Sequence, residues 1–353
     1  MKNTLATRII LLSLLFMAFT SFRGFADNKT ERVLEDKTFP VKPDAELAID
    51  HEFGNLECLN WDKDEISVKI TARVDSDNPD KVEKALGRVS YDISGNSDRV
   101  SIRCRLNKGN GNPNVSVDVQ VMMPKTVSLD VKHKFGNGFI ESAEGLSKIE
   151  SQYGSMKIQE LSSPESKVKI DFGEGKVTHM AGGDISVSYG SLWLGSSDRL
   201  TLDLSYSNGE IETVKILDVK QEGGELKLSS VDDISGSSGF GSLKIGNLNG
   251  SLDMRSEYGN LTVRSVSKDF SSINLKNSFG SGKLVISESA TYQLDAEAEY
   301  GSVDFPESLA NITYREKSMA EVKYKGIIGH APEAKSTVTI TSEYGSVNLL
   351  ANE

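Results

Sequence analysis

The sequence predicts an all-β fold, a parallel β-helix or β-solenoid built from coils of about 17 to 22 residues with a β-rich cap or insertion near the N-terminus. Three observations predict this fold. The dipeptide Phe/Tyr-Gly occurs ten times, where chance placement would give roughly two. Apolar and polar residues alternate before each dipeptide, which indicates a strand with one buried face. The alternation then changes phase after each dipeptide.

The ten dipeptides are expected to form the corners of successive coils. They are Phe53-Gly54, Phe135-Gly136, Tyr153-Gly154, Phe172-Gly173, Tyr189-Gly190, Phe240-Gly241, Tyr258-Gly259, Phe279-Gly280, Tyr300-Gly301 and Tyr344-Gly345. Between Tyr189 and Phe240 the sequence holds two degenerate units, at Tyr206 and at Gly223-Gly224. The repeat therefore extends through most of the second half of the chain.

Each unit predicts strand, corner, strand. The residue four places before the aromatic is apolar in nine of ten units, and the residue five places after it is apolar in all ten. Extending the alternation places the aromatic ring on the buried face. We expect the glycine to provide the phase change, as in a bulge, because glycine accepts a positive φ.

The first part of the chain departs from the repeat. An alternating strand around Ile66–Ala72 is followed by a short helix from Asn78-Pro79 to Leu86, and two further strands, 100–106 and 115–121, flank a Gly/Asn loop. The sequences around His51 and His133 match each other closely. We therefore expect residues 27–128 to hold a first coil that is interrupted by a cap or insertion and resumed afterwards.

Residues 129–353 are expected to form the solenoid, with atypical coils from about residue 306 that blunt an exposed sheet edge. A series of antiparallel hairpins is the alternative topology. A corner that recurs once per coil favours parallel stacking, since coils about 4.8 Å apart put identical side chains into rows.

Residues 1–26 have the features of a secretory signal peptide. Lys2 and Arg8 precede the apolar run Ile9 to Phe19, and small Ala26 marks the expected cleavage site. The run is too short for a membrane span, and no later segment is long and apolar enough for one. We expect an exported protein that is periplasmic, secreted or on the cell surface.

Charge excludes two classes of partner. The net charge is −11, and removal of the signal peptide would make it about −14. Nucleic acids and anionic membranes both require a basic surface, so neither is an expected partner.

The sequence resembles a bacterial "putative adhesin" family of exported domains of unknown function built from β-strand repeats. The resemblance rests on the signal peptide, on the Phe53-Gly54-Asn55-Leu56 unit that runs into Asn60-Trp61-Asp62, and on the serial Tyr-Gly-Ser-Val/Leu units. It covers nearly the whole mature chain. It implies interaction at the cell surface or in the periplasm, and no functional residue is carried over from it.

No catalytic or cofactor-binding motif is present. The sequence lacks Gly-x-Ser-x-Gly, His-Glu-x-x-His, a Walker loop and Gly-x-Gly-x-x-Gly. We therefore expect a non-enzymatic scaffold or interaction module with no cofactor, whose partner is a protein or a glycan. The alternative is a β-helix that binds or processes polysaccharide, which would require carboxylates or aromatic residues clustered on one face.

Six residues carry specific hypotheses. His51 and His133 are either hydrogen-bonded corner residues or, if their coils are neighbours, a pair that titrates together or shares a metal. Cys58 and Cys104 are expected to point inward, either bridged or as free thiols. Trp193 is expected to point outward, where it could stack on a sugar or anchor a protein.

Phe139 occupies the same place in its coil as Trp193, four residues after the aromatic corner. Its ring is likewise expected to be outward and available for binding. Single exposed aromatic residues are also common on protein surfaces without any function.

Overall fold

The computed structural model describes residues 29–107 and 114–352, so the predicted signal peptide lies outside the described residues. The strands, in chain order, are β1 (Thr30–Pro40), β2 (Glu46–Glu52), β3 (Leu56–Asn60), β4 (Glu65–Val74), β5 (Val89–Gly95), β6 (Arg99–Leu106), β7 (Val115–Met123), β8 (Ser128–Lys134), β9 (Asn137–Ala143), β10 (Ser147–Gln152), β11 (Ser155–Leu161), β12 (Ser166–Asp171), β13 (Glu174–Ser188), β14 (Ser191–Ser205), β15 (Asn208–Glu222), β16 (Gly224–Ser238), β17 (Gly241–Glu257), β18 (Asn260–Val266), β19 (Ser272–Ser278), β20 (Ser281–Ser287), β21 (Tyr292–Glu299), β22 (Ser302–Asp304), β23 (Ala310–Lys317), β24 (Glu321–Ile328), β25 (Ser336–Glu343) and β26 (Ser346–Asn352). The helices are α1 (Pro79–Leu86) and one 3-10 turn (Glu307–Leu309).

The solenoid prediction is confirmed. Strands that precede a corner pair in parallel with the corresponding strands of the next coil, as β2 does with β8 and β8 with β10. Strands that follow a corner pair in the same way, as β3 does with β9 and β9 with β11. From β13 to β17 the strand after one corner runs on into the strand before the next. Each of these long strands therefore pairs with the next one both near its start and near its end.

One continuous apolar core fills the coils. In the coil around Tyr189 and Tyr206 the buried residues are Leu192, Leu194, Ser197, Leu200, Leu202 and Leu204. Two of the steps between these residues are three residues long instead of two, which places further bends between the aromatic corners. The predicted inward positions, four before and five after the aromatic, are buried here as expected.

The N-terminal region caps the solenoid with antiparallel strands. β6 and β7 complete a coil beside β2 and β3, with parallel pairing to both. β5 then pairs antiparallel with β6, while β4 pairs antiparallel with β7 and β1 with β4. The chain leaves the coil of β2 and β3 for the cap and returns beside it at β8. Strands β1 and β5 were not predicted.

Helix α1 forms where the sequence places it. The Oδ1 atom of Asn78 accepts a hydrogen bond of 3.2 Å from the backbone N–H of Lys81, and Pro79 occupies the first turn, where a missing N–H costs nothing. Val82 and Ala85 are buried beside Val74 and Val115. The helix therefore covers the end of the β4–β7 pair.

At the other end of the solenoid, chain order and stacking order differ. The coil of β25 and β26 lies between the coil of β19 and β20 and the coil of β21 and β22. The antiparallel hairpin β23–β24 then pairs with β21. Antiparallel strands thus cover β6 and β7 at one end and β21 at the other, which is one way proteins prevent edge-to-edge association.

Candidate functional site

The aromatic corner residues form a stack on the outside of the solenoid. In stacking order the aromatic ladder is Phe53, Phe135, Tyr153, Phe172, Tyr189, Tyr206, Phe240, Tyr258, Phe279, Tyr344 and Tyr300. Centroids of rings in contact are 4.6 to 5.6 Å apart, and their planes are nearly parallel. Phe53 is half-buried, and the other rings are 42 to 74% exposed. The prediction that these rings point inward is therefore wrong.

The backbone conformation of the aromatic residues explains their direction. Ten aromatic residues have a positive φ, between 48 and 63°, namely Tyr206 and every corner aromatic except Phe240. A single residue in this conformation reverses the side-chain alternation of the strand, so the ring turns outward. Left-handed backbone costs roughly 1 to 2 kcal/mol per residue, and a stacked aromatic pair contributes roughly 0.5 to 1.5 kcal/mol. Stacking and strain are thus of similar size.

The corner glycines are required for close approach between coils. The prediction that they are required for a positive φ is wrong. Of the ten predicted corner glycines only Gly54 has a positive φ. A Cβ atom on Gly136 would lie 1.8 Å from the carbonyl oxygen of Gly54, and one on Gly154 would lie 1.8 Å from that of Gly136. The glycines therefore form a row in which each backbone contacts the next, and a side chain at Gly136 or Gly154 would clash with the neighbouring coil.

The degenerate unit at Tyr206 shows how a corner accommodates another residue. Ser207 replaces the glycine and is buried. Its Oγ atom donates to the carbonyl of Ser205 over 2.8 Å and accepts from the backbone N–H of Gly190 over 3.1 Å. The serine side chain thus turns inward, where its hydroxyl group is fully hydrogen-bonded.

A row of Ser, Asn and Glu residues follows the glycines on the outer surface. Ser155 Oγ donates to Asn137 Oδ1 over 2.7 Å, and Ser281 Oγ donates to Asn260 Oδ1 over 2.6 Å. Asn208 Oδ1 accepts from the backbone N–H of Glu225 over 2.9 Å. These side chains link adjacent coils.

The next outward row contains the two aromatic residues singled out in the sequence. In stacking order this lysine row is Glu57, Phe139, Lys157, Lys176, Trp193, Glu210, Lys227, Lys244, Thr262, Lys283, Asn348 and Asp304. Lys176 Nζ lies 4.7 Å from the centroid of the Trp193 ring, and Lys157 Nζ lies 5.6 Å from that of Phe139. Both rings are half-buried beneath a neighbouring ammonium group, a favourable cation–π arrangement.

Trp193 and Phe139 each line a shallow groove. The groove at Trp193 has a volume of about 390 Å³ and brings together Glu174, Lys176, Asn208, Glu210, Glu225 and Lys227. The groove at Phe139 has a volume of about 510 Å³. In the second groove Asp118 accepts a hydrogen bond from the backbone N–H of Asn55 and pairs with Arg73.

The aromatic ladder has one gap, at the degenerate unit Gly223-Gly224. Both glycines have a positive φ, 79° and 81°, so Gly223 holds the backbone conformation of a ladder residue without supplying a ring. Tyr206 lies on one side of the gap and Phe240 on the other. A cavity of about 350 Å³ opens between them, and it is lined also by Gln221 and Arg255.

His51 and His133 lie directly opposite each other in neighbouring coils and are buried. Their Nδ1 atoms are 3.0 Å apart, and Nε2 of His51 lies 2.6 Å from the carbonyl oxygen of Val117. His51 must therefore carry its proton on Nε2, and His133 Nδ1–H donates to His51 Nδ1. Within the described part of the chain, no Asp, Glu, Cys or third His completes a metal site with them.

Burial governs how this pair titrates. Desolvation lowers the pKa of both His51 and His133 to about 4, and the neighbouring His51 ring further disfavours a charge on His133. Both rings are therefore neutral at pH 7. The arrangement fits a buried hydrogen-bonded pair.

Cys58 and Cys104 point inward, as predicted, and both are buried free thiols. Burial raises the pKa of each thiol to about 12. Thiolate is the reactive form of cysteine, so neither residue is suited to nucleophilic or redox chemistry.

One acidic cluster lies near the β21–β24 pair. Carboxylate oxygens of Glu297, Glu299 and Glu321 are within 4.8 Å of one another. Lys323 Nζ lies 3.2 Å from Glu297 and 2.7 Å from Glu321. The lysine offsets part of the negative charge by pairing with two of the three carboxylates, and the cluster is an ion-pair network.

The sequence did not identify the lysine row or the gap as candidate sites. The coil period alone aligns Lys157 and Lys176 with Phe139 and Trp193, so the signal was available in the alignment of units. The structure adds that the rows are adjacent, and that one face carries aromatic, polar and basic rows side by side. Among the described residues no helix has the length and apolar character of a membrane span.

Fold and surface define a β-solenoid that carries an external ladder of stacked aromatic rings. A family model described as Toastrack DUF4097 matches residues 26–350. The chain belongs to this family, as the sequence resemblance anticipated for a domain of unknown function with β-strand repeats.

Several solved structures are similar to this chain at low identity. One from Clostridium sporogenes, described as a "putative cell adhesion protein", is 11% identical, with 91% of this chain and 100% of that chain covered at a TM-score of 0.18. "Putative adhesins" from Parabacteroides distasonis and Bacteroides fragilis are 11% and 12% identical, covering 90% and 93% of this chain and 96% and 100% of theirs, with TM-scores of 0.31 and 0.25. At these values the likeness carries no argument about binding. No curated protein matches the sequence.

Proposed function

We propose that this protein is an exported, non-enzymatic interaction module of the adhesin type, which acts in the periplasm or at the cell surface. Its binding surface is the face formed by the aromatic ladder and the two outward rows beside it. The observation that carries the proposal is the exposure of the ladder, in which ring after ring is about half accessible to solvent.

The ladder has the physical character of a binding surface. Soluble proteins rarely expose large contiguous apolar patches, and those they do expose are often interaction sites. Tyrosine is also enriched among the residues that dominate binding energy. Because each ring is stacked on at least one other on a rigid coil, little side-chain entropy would be lost when a partner covers the face.

The grooves give little support to catalysis. A carboxyl group can act as a general acid at neutral pH only if its pKa is raised. Among the described residues, the carboxyl groups whose pKa clearly departs from the ordinary value are Asp98, Asp198, Glu225 and Glu321. A neighbouring lysine lowers the pKa in all four, so these groups stay charged.

Glycan binding is the second candidate function, and the groove at Trp193 favours it. Trp193 lies among two lysines, three glutamates and Asn208, so a planar ring is surrounded by hydrogen-bonding groups. Aromatic faces stack on sugar rings while charged and amide groups bind hydroxyls. Carboxylates and an aromatic ring are thus clustered on one face, and this clustering supports the glycan alternative.

A printed array of glycans and purified extracellular proteins would test both functions with the mature chain. The ladder variant combines Tyr153→Asn, Tyr189→Asn and Tyr258→Asn, because asparagine tolerates a positive φ and the corners should survive. The control combines Asp184→Asn, Asp203→Asn and Asp253→Asn on the strands that precede the corners.

We expect binding to protein spots that falls at least tenfold in the ladder variant and is kept in the control. Binding that survives in the ladder variant, or no binding at any spot, would contradict the proposal. Glycan binding that Trp193→Ala abolishes and the ladder variant retains would support the second candidate instead. Export is tested by N-terminal sequencing, which should find a mature chain beginning near Asp27.

A further inference from the structure

We propose that the gap in the aromatic ladder at Gly223 is a slot that receives one aromatic side chain of a protein partner, inserted between the rings of Tyr206 and Phe240. The inference rests on the proposed function, since it names the anchoring position within that binding face.

The dimensions of the gap fit one ring. Tyr189 stacks on Tyr206 with centroids 5.6 Å apart, and Phe240 stacks on Tyr258 at 5.2 Å. Tyr206 and Phe240 are two coils apart, so their rings are separated by about 10 Å, twice the strand spacing. A single aromatic ring placed midway would have the same spacing to both neighbours as the other rungs have.

The walls of the slot are bare and the floor is fixed. Tyr206 is 63% and Phe240 74% exposed, the highest values in the ladder, because each ring has one uncovered face. Below them Gln221 is buried, and its Nε2 atom donates to the carbonyl of Gly224 over 3.0 Å while Oε1 accepts from Ser238 Oγ over 2.9 Å. Since the Gln221 side chain already has hydrogen-bond partners, a ligand in the slot does not have to supply one.

The rim of the slot favours a neutral ring. Lys220 pairs with Glu222 over 2.8 Å, and Arg255 pairs with Glu257 over 2.6 Å. The cations and anions are equal in number, so the rim offers no surplus charge for the phosphate of a nucleotide. Phe, Tyr or Trp side chains match this environment.

Magnitudes favour a protein partner over a free small molecule. Two stacking faces strengthen binding by roughly tenfold to a hundredfold, so a lone ring would bind with a dissociation constant no better than about millimolar. A protein that also contacts neighbouring rungs and the polar row can add the remaining affinity. The slot would then fix the register of that partner along the solenoid.

A variant that copies the corner sequence of the other coils tests the slot. Gly223→Tyr recreates the Tyr-Gly pair of other coils, at a φ of 79° that resembles theirs. The new Cβ atom would lie 3.2 Å from Cδ1 of Tyr206, a tight contact that a small movement of the ring relieves. The variant should therefore fold, with its own ring in the slot, and circular dichroism and thermal unfolding would verify this.

The probe is N-acetyl-5-fluoro-tryptophanamide, followed by ¹⁹F NMR, with N-acetyl-leucinamide as an unlabelled competitor that lacks a ring. We expect saturable millimolar binding to the unmodified protein, at least tenfold weaker binding to Gly223→Tyr, and no competition by the leucine compound. Tyr258→Gly, which recreates the Gly-Gly pair elsewhere in the ladder, should add a second site.

Equal binding to the unmodified protein and to Gly223→Tyr would overturn the slot, as would absence of saturable binding. Micromolar or tighter binding of the probe would overturn the assignment to a protein side chain in favour of a free aromatic ligand. The array tests the proposed function separately. If the protein binds the probe but binds nothing on the array, the slot proposal stands and the proposed function is wrong.

Discussion

Replacing Gly154 with alanine should destabilise the solenoid by about 2 to 4 kcal/mol. The added Cβ atom would lie 1.8 Å from the carbonyl oxygen of Gly136, whereas carbon and oxygen atoms in contact are normally more than 3 Å apart. The two corners must separate by over an ångström. That movement strains the packing at roughly 1 to 3 kcal/mol and stretches the Ser155 N–H to Gly136 carbonyl hydrogen bond, 3.2 Å long, at about 1 kcal/mol.

Gly239→Ala is the matched control. Gly239 precedes the ring of Phe240, and the nearest atom to its added Cβ is the carbonyl oxygen of Gln221 at 3.5 Å, an ordinary contact. We expect a change below about 0.5 kcal/mol. Urea unfolding followed by circular dichroism would measure both variants.

A third variant separates the two explanations for the corner glycine. If glycine were needed for a positive φ, Gly154→Asn would be much better tolerated than Gly154→Ala, since asparagine accepts that conformation. If contact with Gly136 decides, both variants lose stability to a similar extent. Equal urea midpoints for Gly154→Ala and Gly239→Ala would refute the contact between coils as the cause.

Two further predictions concern buried groups. The pKa of His51 and His133 falls from 6.5 in the unfolded chain to about 4 in the folded one, so the unfolded chain binds more protons between these pH values. Stability should be constant above pH 6.5 and fall as pH drops toward 4, by about 3 kcal/mol per histidine that must stay neutral. Urea titrations of the unmodified protein and of His133→Ser should differ in this slope, and identical slopes would contradict it. Cys58 and Cys104, whose pKa burial raises to about 12, should not react with a thiol reagent at pH 8 until urea unfolds the chain; rapid labelling of the folded protein would show that they are accessible.

The repeat made much of the fold predictable. Alternation identified the inward positions around each corner, such as Ile149 and Ile158 in the unit of Tyr153, both buried. The similar sequences around His51 and His133 indicated a coil that is interrupted and resumed, and helix α1 was marked by Asn78 and Pro79. These features are local, or repeat with a fixed period, and are therefore readable in one sequence.

The direction of the aromatic rings was not predictable from alternation. Alternation assumes extended backbone, and a tyrosine at a φ near 55° breaks that assumption without any mark in the sequence, since left-handed conformations are uncommon outside glycine. The structure shows that glycine is needed at positions 136 and 154 because a Cβ atom would clash with the neighbouring coil, and not because the backbone has a positive φ. Trp193 could be singled out from its place in the coil, but its neighbour Lys176 became meaningful only once the rows were aligned in space.

Stacking order at the two ends was equally beyond the sequence. Strands β6 and β25 lie beside strands far from them in the chain, and nothing in their composition specifies which neighbour they choose. Pairing over such distances depends on which edges are free after the regular coils have formed.

The displaced coil of β25 and β26 also has a consequence for how the solenoid assembles. Coils that follow one another in the chain can zip together by local steps, which is fast. The coil of β21 and β22 has no such route, because its parallel partner, β25 and β26, arrives only with residues 336–352. Until that segment inserts, Phe279 and Tyr300 have no ring between them. Docking of the coil of β21 and β22 therefore depends on residues 336–352. A chain truncated before them should leave the preceding 40 or so residues undocked and open to proteases.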